Sequence, residues 1–93
     1  MKNNLLEDKN IIITGGNKGI GLEIATKLIE NGANVISLNR SNSKNKISEN
    51  KHYHQIKCNI NNFERLKNVI EQIKTNYQNI DILINNAGII DFK

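Results

Sequence analysis

The 93 residues contain no proline, and no Gly/Ser tract or internal repeat breaks the chain, so the sequence offers no linker at which to divide it. A single cysteine, Cys58, excludes an internal disulfide and any metal site built on paired cysteines, and nothing argues for an oxidising compartment. No run approaches the ~18 apolar residues of a membrane span. Met1 to Lys9 has no apolar stretch of signal-peptide length, so a soluble, cytoplasmic protein is expected. Basic residues outnumber acidic ones, 13 to 9, for a net charge of +4, but they are scattered and form no stripe suited to nucleic acid. At 10.5 kDa the chain makes one small domain at most, which excludes a second, substrate-binding domain. Hydrophobic residues make up 38%, and a mean hydropathy of −0.50 points to a thin core.

Alternation of two periods organises what is present. Asn10 to Thr14 carries Ile11, Ile12 and Ile13 in succession and stops at Gly15 and Gly16, the signature of a short strand buried on both faces. From Gly19 the period becomes helical, with Ile20, Ile24 and Leu28 four apart, Ala25 and Ile29 widening the stripe, and an end near Asn31, just before Gly32. Val35 to Leu38 reads as a second strand. The polar segment Ser41 to Lys51 has Ile47 as its one strong apolar residue, so any helix there is short. Tyr53 to Cys58 is a third strand by position and β-propensity. Asn61 followed by Glu64 predicts a capping box, with Phe63, Leu66, Val69, Ile70, Ile73 and Tyr77 as the helical stripe behind it. Ile82 to Ile84 repeats the buried-strand signature.

The order β-α-β-(short α)-β-α-β is that of an α/β parallel sheet with right-handed crossovers, and the predicted strand order is 3-2-1-4. A topological switch point then falls between strands one and four. Ligands of such sheets bind at that crevice, beyond the carboxyl ends of the strands. Gly15 to Gly21 and Asn85 to Gly88 should converge there.

Thr14-Gly15-Gly16-Asn17-Lys18-Gly19-Ile20-Gly21 lies between a buried strand and an amphipathic helix, the context a phosphate-binding glycine turn requires. Gly15 permits the tight turn, Gly19 lets a dinucleotide approach the backbone, and Gly21 lets the helix pack against the sheet. Free amides and the positive dipole end of the helix favour a pyrophosphate. The alternative is an ordinary glycine-rich turn. A Walker-type loop is disfavoured, because no Gly-Lys-Ser/Thr stands at the necessary spacing.

Thr-Gly-x-x-x-Gly-Ile-Gly at Thr14 to Gly21, with Asn-Asn-Ala-Gly at Asn85 to Gly88 after an Asp-Ile-Leu-Ile strand, resembles the short-chain dehydrogenase/reductase family. The likeness runs over essentially the whole chain but matches only the N-terminal part of a family member. It implies a partial Rossmann-like sheet over residues 1–93, truncated before the catalytic half, and an NAD- or NADP-dependent oxidoreductase acting on alcohols and carbonyls.

Cofactor preference turns on the end of the second strand. NAD-binding domains often place an acid there for the adenosine ribose, a charge that would repel a 2′-phosphate. Here the residue is Asn39, and Arg40 beside it can grip a phosphate bidentately. Lys18 matches a second basic position used by NADP-preferring members. NADP is therefore expected over NAD; the alternative is a pair of solvated surface charges. The resemblance also places Asn59-Ile60 near the adenine, where members commonly have Asp and an aliphatic residue, and Asn86, Ala87 and Gly88 under the adenine-side ribose.

The family's Tyr-x-x-x-Lys, with its upstream Ser and Asn, would follow Asn-Asn-Ala-Gly, and no catalytic residue is assigned in this chain. Tyr53-His54-Gln55-Ile56-Lys57 matches the string only by chance: in a strand four steps span ~13 Å, whereas in a helix they bring the two side chains ~5–6 Å apart. His52 and His54 read as surface or edge histidines. Without further strands, Asp81 to Asn85 would form an open hydrophobic edge prone to self-association. Three functions remain open: the cofactor-binding part of an oxidoreductase, a non-catalytic nucleotide-binding or interaction fragment, and an inactive remnant.

Overall fold

Ile11, Ile12 and Ile13 are each at most 1% exposed, and they define the middle of the computed structural model, which describes residues 4–86. They lie on β1 (Asn10–Thr14), and α1 (Gly19–Glu30), β2 (Asn34–Asn39), β3 (Tyr53–Lys57), α2 (Phe63–Tyr77) and β4 (Ile82–Ile84) follow. The strands form one sheet in the order β3-β2-β1-β4, all pairs parallel, as the alternation of periods predicts. Ile12 pairs with Ile36 on one side and Leu83 on the other.

Because successive strand residues face opposite ways, the isoleucine run feeds two cores. Ile11 and Ile13 join Val35, Tyr53 and Ala25 of α1 on one face, while Ile12 joins Ile36, Leu38, Cys58 and Val69 and Ile73 of α2 on the other. Each such side chain, fully buried, contributes roughly 1.5–3 kcal/mol. Both layers stop at the carboxyl end of the sheet, where the chain turns polar.

Several local expectations need correction. No helix forms between β2 and β3: residues 40–52 run as bends, turns and irregular chain, with Asn45 N donating to Ser48 Oγ (2.7 Å) and Ile47 N to Asn45 Oδ1 (3.0 Å). Asn and Ser side chains compete there for the backbone groups a helix would use, and Ile47 alone packs inward. β2 is one residue longer at each end than expected. β3 stops at Lys57, and Cys58 stays buried just beyond it, its N–H donating to Asn39 O (2.7 Å). The cap of α2 is Asn62, whose side chain accepts from Arg65 N (3.1 Å), so the predicted box between Asn61 and Glu64 is not made. Asn61 is instead held through its own N–H by Asn59 Oδ1 (3.0 Å). The apolar stripes are also shorter than the sequence suggests. Ile20 and Phe63, in the first turns of their helices, are 75% and 72% exposed.

Among the described residues, no helix is long and apolar enough to cross a membrane. No group of three or more His, Cys, Asp or Glu is placed to hold a metal there.

Candidate functional site

The glycine turn leaves β1 through Gly15, whose φ of 68° is the left-handed conformation that a residue without Cβ adopts freely, while its N–H donates to Leu38 O (2.8 Å) of β2. Gly16 follows, seated so that a Cβ would stand 2.6 Å from Ile13 Cγ2 and 2.8 Å from Ser37 Oγ. Gly19 also has a positive φ, 59°, and a Cβ there would meet no heavy atom within 4 Å, so the start of α1 is open to an incoming group. Gly21 has the opposite surroundings. A Cβ on it would run into the Gly15 carbonyl oxygen and Asn86 Nδ2, so the absent side chain makes room for the turn and for β4's extension rather than for the sheet at large.

That extension arrives as predicted. Thr14 Oγ1 donates to Asn85 Oδ1 (3.1 Å) and accepts from Asn86 N (2.9 Å), while Asn86 Nδ2 donates to Gly15 O (3.2 Å). The two motif segments, 71 residues apart in sequence, thus meet at the carboxyl ends of neighbouring strands. Asn85 and Asn86 both take part, within the segment Asn85 to Gly88 expected to converge here. Ala87 and Gly88 lie outside the described residues.

Between this junction and the end of β2 opens a cleft of about 420 Å³. Gly15, Asn17, Lys18, Asn39, Arg40, Ile60 and Asn86 line it, all expected from the sequence, together with Leu38, Ser41 and Cys58, which were not. Gly19, Ile20, Gly21 and Asn59 do not line it; Asn59 is turned to the local bend that holds Asn61. Lys18 and Arg40 are exposed, and no carboxylate is among the lining residues. Asn17 and Asn39 are each only 3% exposed, and their amides are engaged within the protein. Asn17 Nδ2 donates to Ser41 O (2.8 Å), and Asn39 Oδ1 accepts from Ser37 Oγ (2.7 Å). At the floor, burial pushes the Cys58 thiol above its ordinary range, against a smaller downward pull from the Arg65 guanidinium.

Tyr53 lies on a strand, as its position implied. Its buried hydroxyl donates to Gly16 O (3.0 Å), under the glycine turn. His52 and His54 are exposed. Sequence reasoning missed the polar groups beneath the cleft, Ser37, Ser43, Asn45 and Gln55. Their signal was present in part: Ser37 and Asn39 alternate on one face of a strand whose other buried residues are apolar, and Gln55 stands opposite Ser37 in the β2–β3 register.

The sequence matches the short chain dehydrogenase family over residues 9–93. It is 36% identical to an uncharacterized oxidoreductase, DltE, of Bacillus subtilis (strain 168), over 95% of this chain and 37% of that protein. The fold superposes on a short chain dehydrogenase from Leptospira borgpetersenii with bound NAD+, with a TM-score of 0.79 and 30% identity over 95% of this chain and 34% of that one. Against ElxO with NADP bound the TM-score is 0.75, at 28% identity over 84% of this chain and 34% of that one. The chain therefore spans about a third of the length of the proteins it matches.

Proposed function

The chain belongs to the short-chain dehydrogenase family, and from that membership we propose that residues 1–93 form the N-terminal, cofactor-binding part of an NADP(H)-dependent oxidoreductase. The glycine turn and the amino end of α1 would hold the pyrophosphate. Ile60, Asn59 and the Asn86-Ala87-Gly88 segment would border the adenosine, and Arg40 and Lys18 would hold its 2′-phosphate. When bound, the dinucleotide supplies a hydride to a carbonyl carbon or takes one from an alcohol carbon. Within these 93 residues the protein's own work is to bind and orient it.

One observation carries the choice of NADP(H): two exposed cations flank the cleft, while the residue at the end of β2, Asn39, is uncharged and its amide is spent inside the protein. A 2′-phosphate would thus meet charge of the favourable sign and no carboxylate. The fit of the dinucleotide itself is supported by the open approach to Gly19. Calorimetric titration of the chain and of Arg40→Ala with NADPH and NADH tests the reading. An exposed guanidinium–phosphate pair is worth ~1–2 kcal/mol, so Arg40→Ala should weaken NADPH binding by ~5–30-fold and leave NADH nearly unchanged. Equal losses for both dinucleotides would refute it.

A second reading is a nucleotide-binding module without turnover, and Tyr53 supplies a structural group in either reading. It lies on β3 with its buried hydroxyl donating to Gly16 O. In the second reading NADPH would bind and no reaction would follow with carbonyl or alcohol substrates. The β4 edge supports self-association in either case, since Ile82 and Leu83 are 39% and 60% exposed on a strand paired, among the described residues, with β1 alone.

A further inference from the structure

Beneath the cleft, β3 contributes a polar side chain that the proposed function does not use. Gln55 lies on the α1 face of the sheet, half-buried, outside the lining of the cleft. Its Oε1 accepts from Asn39 Nδ2 (3.1 Å), Asn17 Nδ2 (3.2 Å) and Ser43 N (3.1 Å), while its Nε2 donates to Ser43 O (2.7 Å). The carboxamide thus pairs with the Ser43 peptide on both sides, as a second main chain would. A carbonyl oxygen has two lone pairs, and here it gathers three donors from two segments, residues 39–43 and the glycine turn.

The segment so fastened, residues 39–43, is the one that carries Arg40. Asn39 is tied at its start by Gln55, Ser43 is tied at its end by Gln55, and between them Ser41 O accepts from Asn17 Nδ2 (2.8 Å). Arg40 is the unfastened member, its side chain exposed above a backbone held on both flanks. No helix covers this stretch, so these bonds, with those of Asn45 Nδ2 and Ser43 Oγ to Asn17 O (3.2 and 3.5 Å), take the place of helical packing.

We propose that Gln55 is a positioning residue for cofactor selectivity: it fixes where Arg40 stands over the cleft and so sets the preference for an adenosine that bears a 2′-phosphate. This rests on the reading that Arg40 meets that phosphate. Preorganised cations bind better than those that must be ordered on binding, and the gain is confined to the ligand that uses them.

The test uses the full chain and two probes that need only the adenosine side, adenosine 2′,5′-bisphosphate and 5′-AMP. Gln55→Met, which keeps length and loses every hydrogen bond, should weaken the bisphosphate by ~3–10-fold and leave AMP within about twofold. In an Arg40→Ala background it should change neither affinity further, a non-additivity that a merely structural role would not produce. Gln55→Thr, β-branched and suited to a strand but too short to reach Ser43, is the companion variant and should behave alike. Equal weakening of both probes, or an undiminished effect of Gln55→Met without Arg40, overturns the inference, as does loss of folding in both variants. If Arg40→Ala lowers selectivity and Gln55→Met does not, this inference alone falls. If Arg40→Ala itself leaves the ratio unchanged, the NADP(H) reading falls with it.

Discussion

Replacing Gly21 with Ala sets two known effects against each other. In a helix Ala is favoured over Gly by about 1 kcal/mol. Against this, the new Cβ would occupy the space of the Gly15 carbonyl oxygen and of Asn86 Nδ2, and would stand 2.9 Å from the Gly15 carbonyl carbon. Overpacking against fixed backbone costs ~1–3 kcal/mol. Expelling Asn86 from its bond to Gly15 O removes a further ~0.5–1.5 kcal/mol. The steric side wins, for a net loss of ~0.5–3.5 kcal/mol, a large fraction of the stability of a small domain. Gly19→Ala is the internal control. It meets no heavy atom within 4 Å, and at a φ of 59° it gains no helix propensity, so it loses only the ~1–2 kcal/mol of left-handed backbone. Urea unfolding followed by circular dichroism should place Gly21→Ala below the parent in midpoint, with Gly19→Ala reporting backbone strain without overlap. A Gly21→Ala chain as stable as the parent would mean that the Gly15 turn and Asn86 do not meet, and the site built on their junction would go with it.

Two further outcomes are expected. The Cys58 thiol, raised by burial, loses its proton in the unfolded chain before it does so in the fold. Its contribution to stability is therefore whole below the ordinary thiol range and is lost as pH rises through the folded value. Thiol labelling should stay slow at neutral pH, and fast labelling in the folded chain would contradict the burial. Leu83→Lys, a charge on the exposed β4 edge, should reduce concentration-dependent association in sedimentation experiments. A parent chain that sediments as one monomeric species at all concentrations would remove the reason for the substitution.

Strand order and both helices were legible because they depend on period alone. The isoleucine run, the four-residue spacing of Ile24 and Leu28, and Val69 with Ile73 each state a period and a buried face. The meeting of Asn86 with Gly15 followed from that order and the switch-point rule. What the sequence hid were choices among equivalent neighbours and long-range polar bonds. Asn61 and Asn62 are chemically identical candidates for a cap, and tertiary placement selects the second. Asn17 and Asn39 were expected at the ligand by position, whereas their partners on β3 and in residues 41–43 turn both inward. No local pattern reports that Gln55, 38 residues from Asn17, accepts its hydrogen bond.

β1 has a neighbouring strand on each edge and a packed layer on each face, and the glycine turn grows directly from its end. Residues 40–52, by contrast, stay in place by side-chain hydrogen bonds above the sheet. The glycine turn is thus mounted on the strand with neighbours on every side, and Arg40 on a span that no helix or strand frames. Under the proposed NADP(H) reading, substitutions that alter cofactor preference would fall in that outer span, where they cost folding less than the same number of changes beneath the turn.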